Sequence, residues 1–232
     1  SDEEPLIAVS VFRSDDAFIN DVVDWIASES HDGIPVIVGE AENSQDVQNR
    51  MISGFLDEGC SSMIINCVDR TAAGLVIEKC RKADVPLVFL NREPLKEDMA
   101  KWDRAYYVGA RADVCGEMAG EYMAAYWKSH PEADRNGDGI LQFVILRGET
   151  GHQDSELRTE YFLKALAENG VRIERLGEGS ANWQRGEARA LMESFLRADD
   201  GIEAVFANND MMALGAIDAL KEAGWFDGGQ YM

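Results

Sequence analysis

The chain has 232 residues, 46% of them hydrophobic, and carries 22 Lys+Arg against 43 Asp+Glu, a formal charge of −21. That hydrophobic fraction supports a packed core and excludes general disorder, and the length suits one large domain or two lobes at about 100–150 residues per domain. So negative a chain repels phosphate backbones and anionic lipid heads, and no run approaches the roughly 20 apolar residues of a membrane span, so nucleic acid and the bilayer are not expected partners.

The acidic start, Ser1 to Glu4, leads straight into an apolar segment. The chain is therefore either cytoplasmic or stripped of a targeting segment. The cysteines, Cys60, Cys67, Cys80 and Cys115, form no CxxC pair and no zinc spacing, and are expected to be buried free thiols.

Strand and helix patterns alternate from the start. Apolar runs at Leu6 to Val11, Ile34 to Val38, Ser62 to Asn66 and Val85 to Leu90 read as strands. Between them, Ile19, Val22, Val23 and Ile26 fall at i, i+3, i+4, i+7, and Val47, Met51 and Phe55 repeat at i, i+4, i+8, which predicts helices. A second series follows a crossover near Tyr107 to Arg111. It has a long helix from about Arg111 to Lys128 and strands at Leu141 to Leu146, Val171 to Leu176 and Ala204 to Phe206. Helical patterns separate these strands (Leu157, Tyr161, Ala165; Ala188, Leu191, Phe195), and another, Leu214 to Leu220, comes last. The expected fold class is α/β with two Rossmann-like lobes, residues 1–109 and 110–232, each a parallel sheet covered by helices and joined by a hinge. In such sheets ligands bind beyond the carboxyl ends of the strands.

Those ends carry a consistent inventory. Phe12 to Phe18 follows the first strand, Asn66 to Asp69 the third, and Asn91-Arg92-Glu93-Pro94 the fourth. In the second series Arg147 to Asp154 is followed one turn later by Arg158; Trp183 comes after the next strand and Asn208-Asn209-Asp210 after the last. Carboxylates, amides, a guanidinium, an imidazole and aromatics suit a sugar. Planar groups hydrogen-bond hydroxyl pairs, charge-assisted bonds are the stronger ones, and aromatic faces cover the C–H faces of a pyranose. Asp16, Asp154 and Asn209 equally suit helix N-caps, and a lone Phe18 or Trp183 is more often a core residue than a ligand platform.

The segment Asp134-Arg135-Asn136-Gly137-Asp138-Gly139-Ile140-Leu141-Gln142 places oxygen side chains at positions 1, 3, 5 and 9, Gly at 6 and a carbonyl at 7. This is the spacing of a calcium loop, except that Ile145 stands where a bidentate Glu is expected; the plain alternative is a polar turn.

From Ile7 to about Lys221 the sequence resembles the bacterial galactose/glucose-binding proteins, within the type I periplasmic sugar-binding proteins. The matching motifs are Ser14-Asp15-Asp16-Ala17-Phe18, Ala72-Ala73-Gly74 with Val76-Ile77-Glu78-Lys79, Phe89 to Pro94, Ala105 to Gly109, Gly151-His152-Gln153-Asp154 with Arg158, and Ala207-Asn208-Asn209-Asp210. The resemblance implies that Phe18 and Trp183 sandwich a monosaccharide ring whose hydroxyls bond to Asp16, Asn91, His152, Asp154, Arg158 and Asn209. It implies a structural calcium held by Asp134, Asn136, Asp138, the Ile140 carbonyl and Gln142, with Glu203 supplying the bidentate carboxylate. Hinge closure on glucose or galactose, a periplasmic or lipoprotein location, and readout by an ABC-transporter permease or a chemoreceptor are implied too.

Phe12 stands where the best-known members have Tyr, which removes one polar contact. The family also continues beyond the point where this chain stops, adding a carboxylate and an amide to the site, so a C-terminally truncated, incomplete cleft is expected. Two other classes fit the sequence less well. An enzyme on a doubly wound fold lacks GxGxxG, GxxxxGK[ST] and a Ser/His/Asp elbow. The effector domain of a sugar-responsive repressor requires a basic DNA-binding segment ahead of the first strand, and this start is acidic.

Overall fold

The structure is a computed structural model and describes residues 5–30 and 33–226. Contacts divide the chain into two compact units, Ser1–Ala110 and Arg111–Met232.

In the first unit, β1 (Ile7–Val11), β2 (Val36–Glu40), β3 (Ser62–Ile65), β4 (Leu87–Leu90) and β5 (Ala105–Val108) form one sheet in the order β2-β1-β3-β4-β5, every pair parallel. Parallel neighbours need crossovers. These are α1 (Ala17–Ser28), α2 (Gln45–Asp57), α3 (Ala73–Ala83) and the single turn α4 (Lys96–Met99). Two apolar clusters make the core: Met63, Ile65, Val76, Ile77, Leu87 and Phe89 with Ile52 in one, and Val9, Val11, Phe12 and Ile19 in the other.

In the second unit, β6 (Leu141–Arg147), β7 (Ile173–Ser180) and β8 (Ala204–Ala207) form a parallel sheet in the order β7-β6-β8. Helices α5 (Ala112–Ser129), α6 (Gln153–Glu168), α7 (Arg185–Ala198) and α8 (Asp210–Glu222) cover it. The central strand β6 is buried along six of its seven residues, as an apolar strand covered on both faces must be. Phe162 of α6 stacks on Phe206 of β8, with centroids 3.8 Å apart, and tilts against Phe143 of β6. Helix α5 buries only small residues, Ala112, Gly116, Gly120 and Ala124. A Cβ on Gly116 would lie 2.4 Å from the Arg158 carbonyl oxygen, so glycine there lets α5 press directly on the α6 turn that carries Arg158.

Several expectations are corrected. β2 begins at Val36 rather than Ile34. The strand expected at Val171 to Leu176 is displaced to Ile173–Ser180, because Val171 closes α6 instead, its N–H donating to the Leu166 carbonyl after Gly170 at φ 70°. The displaced strand is polar, IERLGEGS, and lies at a sheet edge, where apolar content no longer marks a strand. Of the segment Tyr107 to Arg111, read as crossover, Tyr107 and Val108 belong to edge strand β5, while the division between the units falls after Ala110. Cys60, Cys67 and Cys80 are buried free thiols, but Cys115 is exposed, because it lies off the small-residue face that α5 buries.

Candidate functional site

In the second unit the site is built where β6 runs into α6. His152 is the N-cap of α6, and its Nδ1 accepts from the Asp154 N–H at 3.2 Å. That bond places the imidazole proton on Nε2. Asp154, one of the expected cap candidates, is therefore not the cap. Its carboxylate is buried, 3% exposed. Oδ2 accepts from Arg158 Nη2 at 2.9 Å, and Oδ1 accepts from Gln153 Nε2 at 3.2 Å. The i, i+4 spacing on α6 makes the carboxylate–guanidinium pair. Arg158 Nη1 donates to the Asn208 carbonyl at 2.7 Å, and Nε is buried without a partner.

Trp183 approaches from the end of β7. It lies edge-on to His152, with centroids 5.1 Å apart and planes at 74°, and Arg158 Cζ is 6.0 Å from its ring centroid. A Cβ on Gly148 would lie 2.2 Å from the Trp183 ring, so the ring seats itself on a residue without a side chain. Trp183 adopts φ 66°, which is uncommon for a bulky residue and costs about 1–3 kcal/mol unless its surroundings hold it. Asn209 is one of those holders, donating from Nδ2 to the Trp183 carbonyl at 3.3 Å while its Oδ1 caps α8 through Met212 N–H at 2.9 Å. His152, Asp154, Arg158, Trp183 and Asn209 thus form one cluster at the carboxyl ends of β6, β7 and β8.

In the first unit, Asp16 caps α1 through Ile19 N–H at 3.1 Å, as the plainer reading of that residue anticipated. Phe18, in the first turn of α1, is 58% exposed, so it is not a core residue. Asn91 follows β4 at φ 65° and is bound on both sides of its backbone: its N–H donates to the Val108 carbonyl, and its carbonyl accepts from Tyr107 OH at 3.0 Å. Phe12 is buried, with the guanidinium of Arg92 4.2 Å and that of Arg13 4.9 Å from its ring centroid.

The acidic loop folds on itself. Asp134 accepts from Gly137 and Gly139 N–H at 2.8 Å each, Asn136 Oδ1 from Asp138 N–H at 2.9 Å, and Asp138 Oδ1 from Ile140 N–H at 2.7 Å. The Ile140 N–H holds the exposed Asp138 carboxyl below its ordinary range. Glu203, 61 residues after Gln142, joins the loop by accepting from Arg135 N–H at 2.7 Å and Gln142 N–H at 3.1 Å. Among the described residues no three His, Cys, Asp or Glu side chains converge as a metal group, so a cation here depends equally on amide and carbonyl oxygens. The fit is favourable on one point: Gln142 Oε1 is buried and has no hydrogen-bond partner. A cavity of about 320 Å³ lies beside this loop, lined by Trp127, Asp134 and Arg172 among others, and not at the strand-end cluster.

Sequence reading named Asn208, Asn66 and Arg92 among the strand-end residues without giving them a supporting role, and missed the supports Ser155 and Thr159 in the second unit and Gln48 in the first. The available signal was an asparagine at the end of an apolar strand, a costly residue to bury unless every polar atom is bonded.

Two parallel α/β units, with polar and aromatic side chains gathered at strand ends, define a solute-binding architecture of the type I periplasmic kind. The chain belongs to the periplasmic binding protein family, whose domain model matches residues 7–231. It is 35% identical over 223 residues to the D-galactose/methyl-galactoside binding periplasmic protein of Haemophilus influenzae, covering 94% of this chain and 67% of that protein. It is 27% identical to the ribose import binding protein of Salmonella typhimurium, covering 84% of this chain and 60% of that one. A solved ABC-transporter solute binding protein from Bacillus halodurans with bound myo-inositol superposes with a TM-score of 0.80 at 28% identity, covering 98% of this chain and 74% of that one. The chain thus spans about 60–67% of the length of these two curated relatives. No helix among the described residues is long and apolar enough to cross a membrane.

Proposed function

We propose that the protein is a non-enzymatic, extracytoplasmic binding protein for a monosaccharide of the galactose or glucose type, delivering it to an ABC-transporter permease. The observation that carries this reading is the second unit's cluster, in which a buried carboxylate, a guanidinium whose buried Nε–H has no partner, and an imidazole sit beside an indole ring. Such a set recognises vicinal hydroxyls and an apolar ring face together. His152, Asp154, Arg158 and Asn209 bond hydroxyls, and Trp183 covers the ring. The matching groups of the first unit are Asp16, Phe18 and Asn91. Galactose is favoured by the 35% identical relative. The test is titration calorimetry with D-galactose, D-glucose, D-ribose and myo-inositol. Saturable heat with either hexose, lost in Asp154→Ala, supports the reading, and silence with all four sinks it.

A calcium ion held by Asp134, Asn136, Asp138, the Ile140 carbonyl, Gln142 and Glu203 is part of the same proposal. The all-oxygen donor set suits a hard cation. The unpartnered Gln142 Oε1 supports it. Both Asn136 and Gln142 turn their amide nitrogens toward Asp138 Oδ2; on a cation those amides would turn over and present oxygen.

A further inference from the structure

We infer that Asn208 is a positioning residue for sugar recognition, holding Arg158 and the turn from β6 into α6 in their binding geometry; this rests on the sugar-site reading above. Asn208 is 3% exposed, so it does not meet solvent, yet it is bonded at every polar position. Its N–H donates to the Leu146 carbonyl at 3.0 Å, at the end of β6. Its side-chain Oδ1 accepts twice, from Gly148 N–H at 2.9 Å and from Ser155 Oγ at 2.9 Å. Its Nδ2 donates to Thr159 Oγ1 at 3.1 Å. Its carbonyl receives Arg158 Nη1 at 2.7 Å.

One buried residue therefore ties together the strand end, the glycine on which Trp183 rests, the first turn of α6 and the guanidinium itself. The chemistry explains why it is an amide. The position requires two acceptor sites at one end and a donor at the other, which neither aspartate nor a hydroxyl provides. The guanidinium is thereby fixed on two sides, by Asp154 on Nη2 and by the Asn208 carbonyl on Nη1, while its buried Nε–H has no partner. An arginine so restrained has little rotamer entropy left to lose when a hydroxyl binds, and a pre-organised group contributes more affinity for that reason.

The test is D-galactose calorimetry on the full chain, with thermal melting alongside. Asn208→Ala keeps the main-chain carbonyl that Arg158 bonds but releases Gly148, Ser155 and Thr159, which lets the strand end shift under the guanidinium, and binding is expected to weaken about tenfold or more. In an Arg158→Ala background the same substitution is expected to cost less affinity than in the unsubstituted protein, since part of its effect passes through that guanidinium. A merely structural role would lower the melting temperature while leaving affinity unchanged, or would add fully to Arg158→Ala; either result overturns the inference. Thr159→Val removes only the bond at Nδ2 and serves if Asn208→Ala does not fold. It should weaken galactose binding by about threefold, within the span of a single lost neutral bond, and unchanged affinity in a folded Thr159→Val protein would likewise overturn the inference. If the unsubstituted chain binds no sugar, the sugar-site reading itself falls and the inference with it; a binding parent with unaffected variants sinks the inference alone.

Discussion

The two units place a buried asparagine at the same point of the sheet and use it differently. Asn66 ends β3 as Asn208 ends β8, each on the strand beside its sheet's first strand in sequence. The N–H of Asn66 donates to the Ser10 carbonyl and that of Asn208 to the Leu146 carbonyl. Each side-chain Oδ1 accepts from a backbone N–H two residues further along, Phe12 in one unit and Gly148 in the other. Each main-chain carbonyl receives a helix side chain: Gln48 Nε2 from α2, and Arg158 Nη1 from α6. Beyond this the two part. Asn66 Nδ2 reaches the next strand, donating to the Leu90 carbonyl, and so knits β3 to β4. Asn208 Nδ2 turns to Thr159 and so fixes a helix. Where the first unit holds Phe12 with guanidiniums against its ring, the second has a bare Gly148 and brings Trp183 to it. The same backbone solution thus braces neighbouring strands in one unit, with Asn66 Nδ2 also 3.5 Å from Asn91 Oδ1, and a strand end and helix in the other, and the helix supplies a neutral amide in the first case and a cation in the second.

The larger loss is expected from the first unit's asparagine. Asn66→Ala leaves a cluster of buried donors and acceptors unbonded and is expected to cost about 2–4 kcal/mol. Urea unfolding measures this; a loss below about 0.5 kcal/mol would mean the first unit's clamp bears no weight. Gly148→Ala puts a Cβ into the Trp183 ring and is expected to cost about 1–3 kcal/mol as overpacking. Displacement of the ring should shift the tryptophan emission. An unchanged spectrum and stability would show that the ring does not need the bare glycine.

Removing calcium is the next test, because only the second unit carries the loop. A chelator is expected to lower the melting temperature by a few degrees, with calcium restoring it, since a ligand bound to the native state stabilises it by mass action. The loss should be absent in Glu203→Ala, and an identical melt with and without chelator would leave the loop as a polar turn. The smallest effect distinguishes the units by thiol chemistry. Burial pushes Cys67 and Cys80 up to about 12 and raises Cys60, whereas Cys115 is exposed. At pH 8 a chromogenic disulfide should therefore react promptly with Cys115 alone in the native protein, and with all four thiols after denaturation. Prompt native reaction at Cys67 would show that the strand end of the first unit opens readily.

Much of this molecule was legible before the structure. Apolar runs of three to six residues separated by helical spacing determined two parallel α/β series, and the residues following each strand determined the candidate cluster. Periodicity reports burial, so it failed where burial is partial: at β5, an edge strand, and at β7, whose polar residues lie at the other unit's edge. The caps divided for a local reason: Asp16 and Asn209 cap their helices, while His152 takes the cap position that Asp154 was equally suited to fill. Only tertiary structure could decide what Asn208 does, because its partners Gly148, Ser155, Arg158 and Thr159 lie some 50 to 60 residues away in sequence. The same holds for Glu203, which meets the acidic loop 61 residues from Gln142. Sequence spacing specifies neighbours on one helix or one strand; bonds closed across a sheet depend on strand order, and no local pattern carries that information.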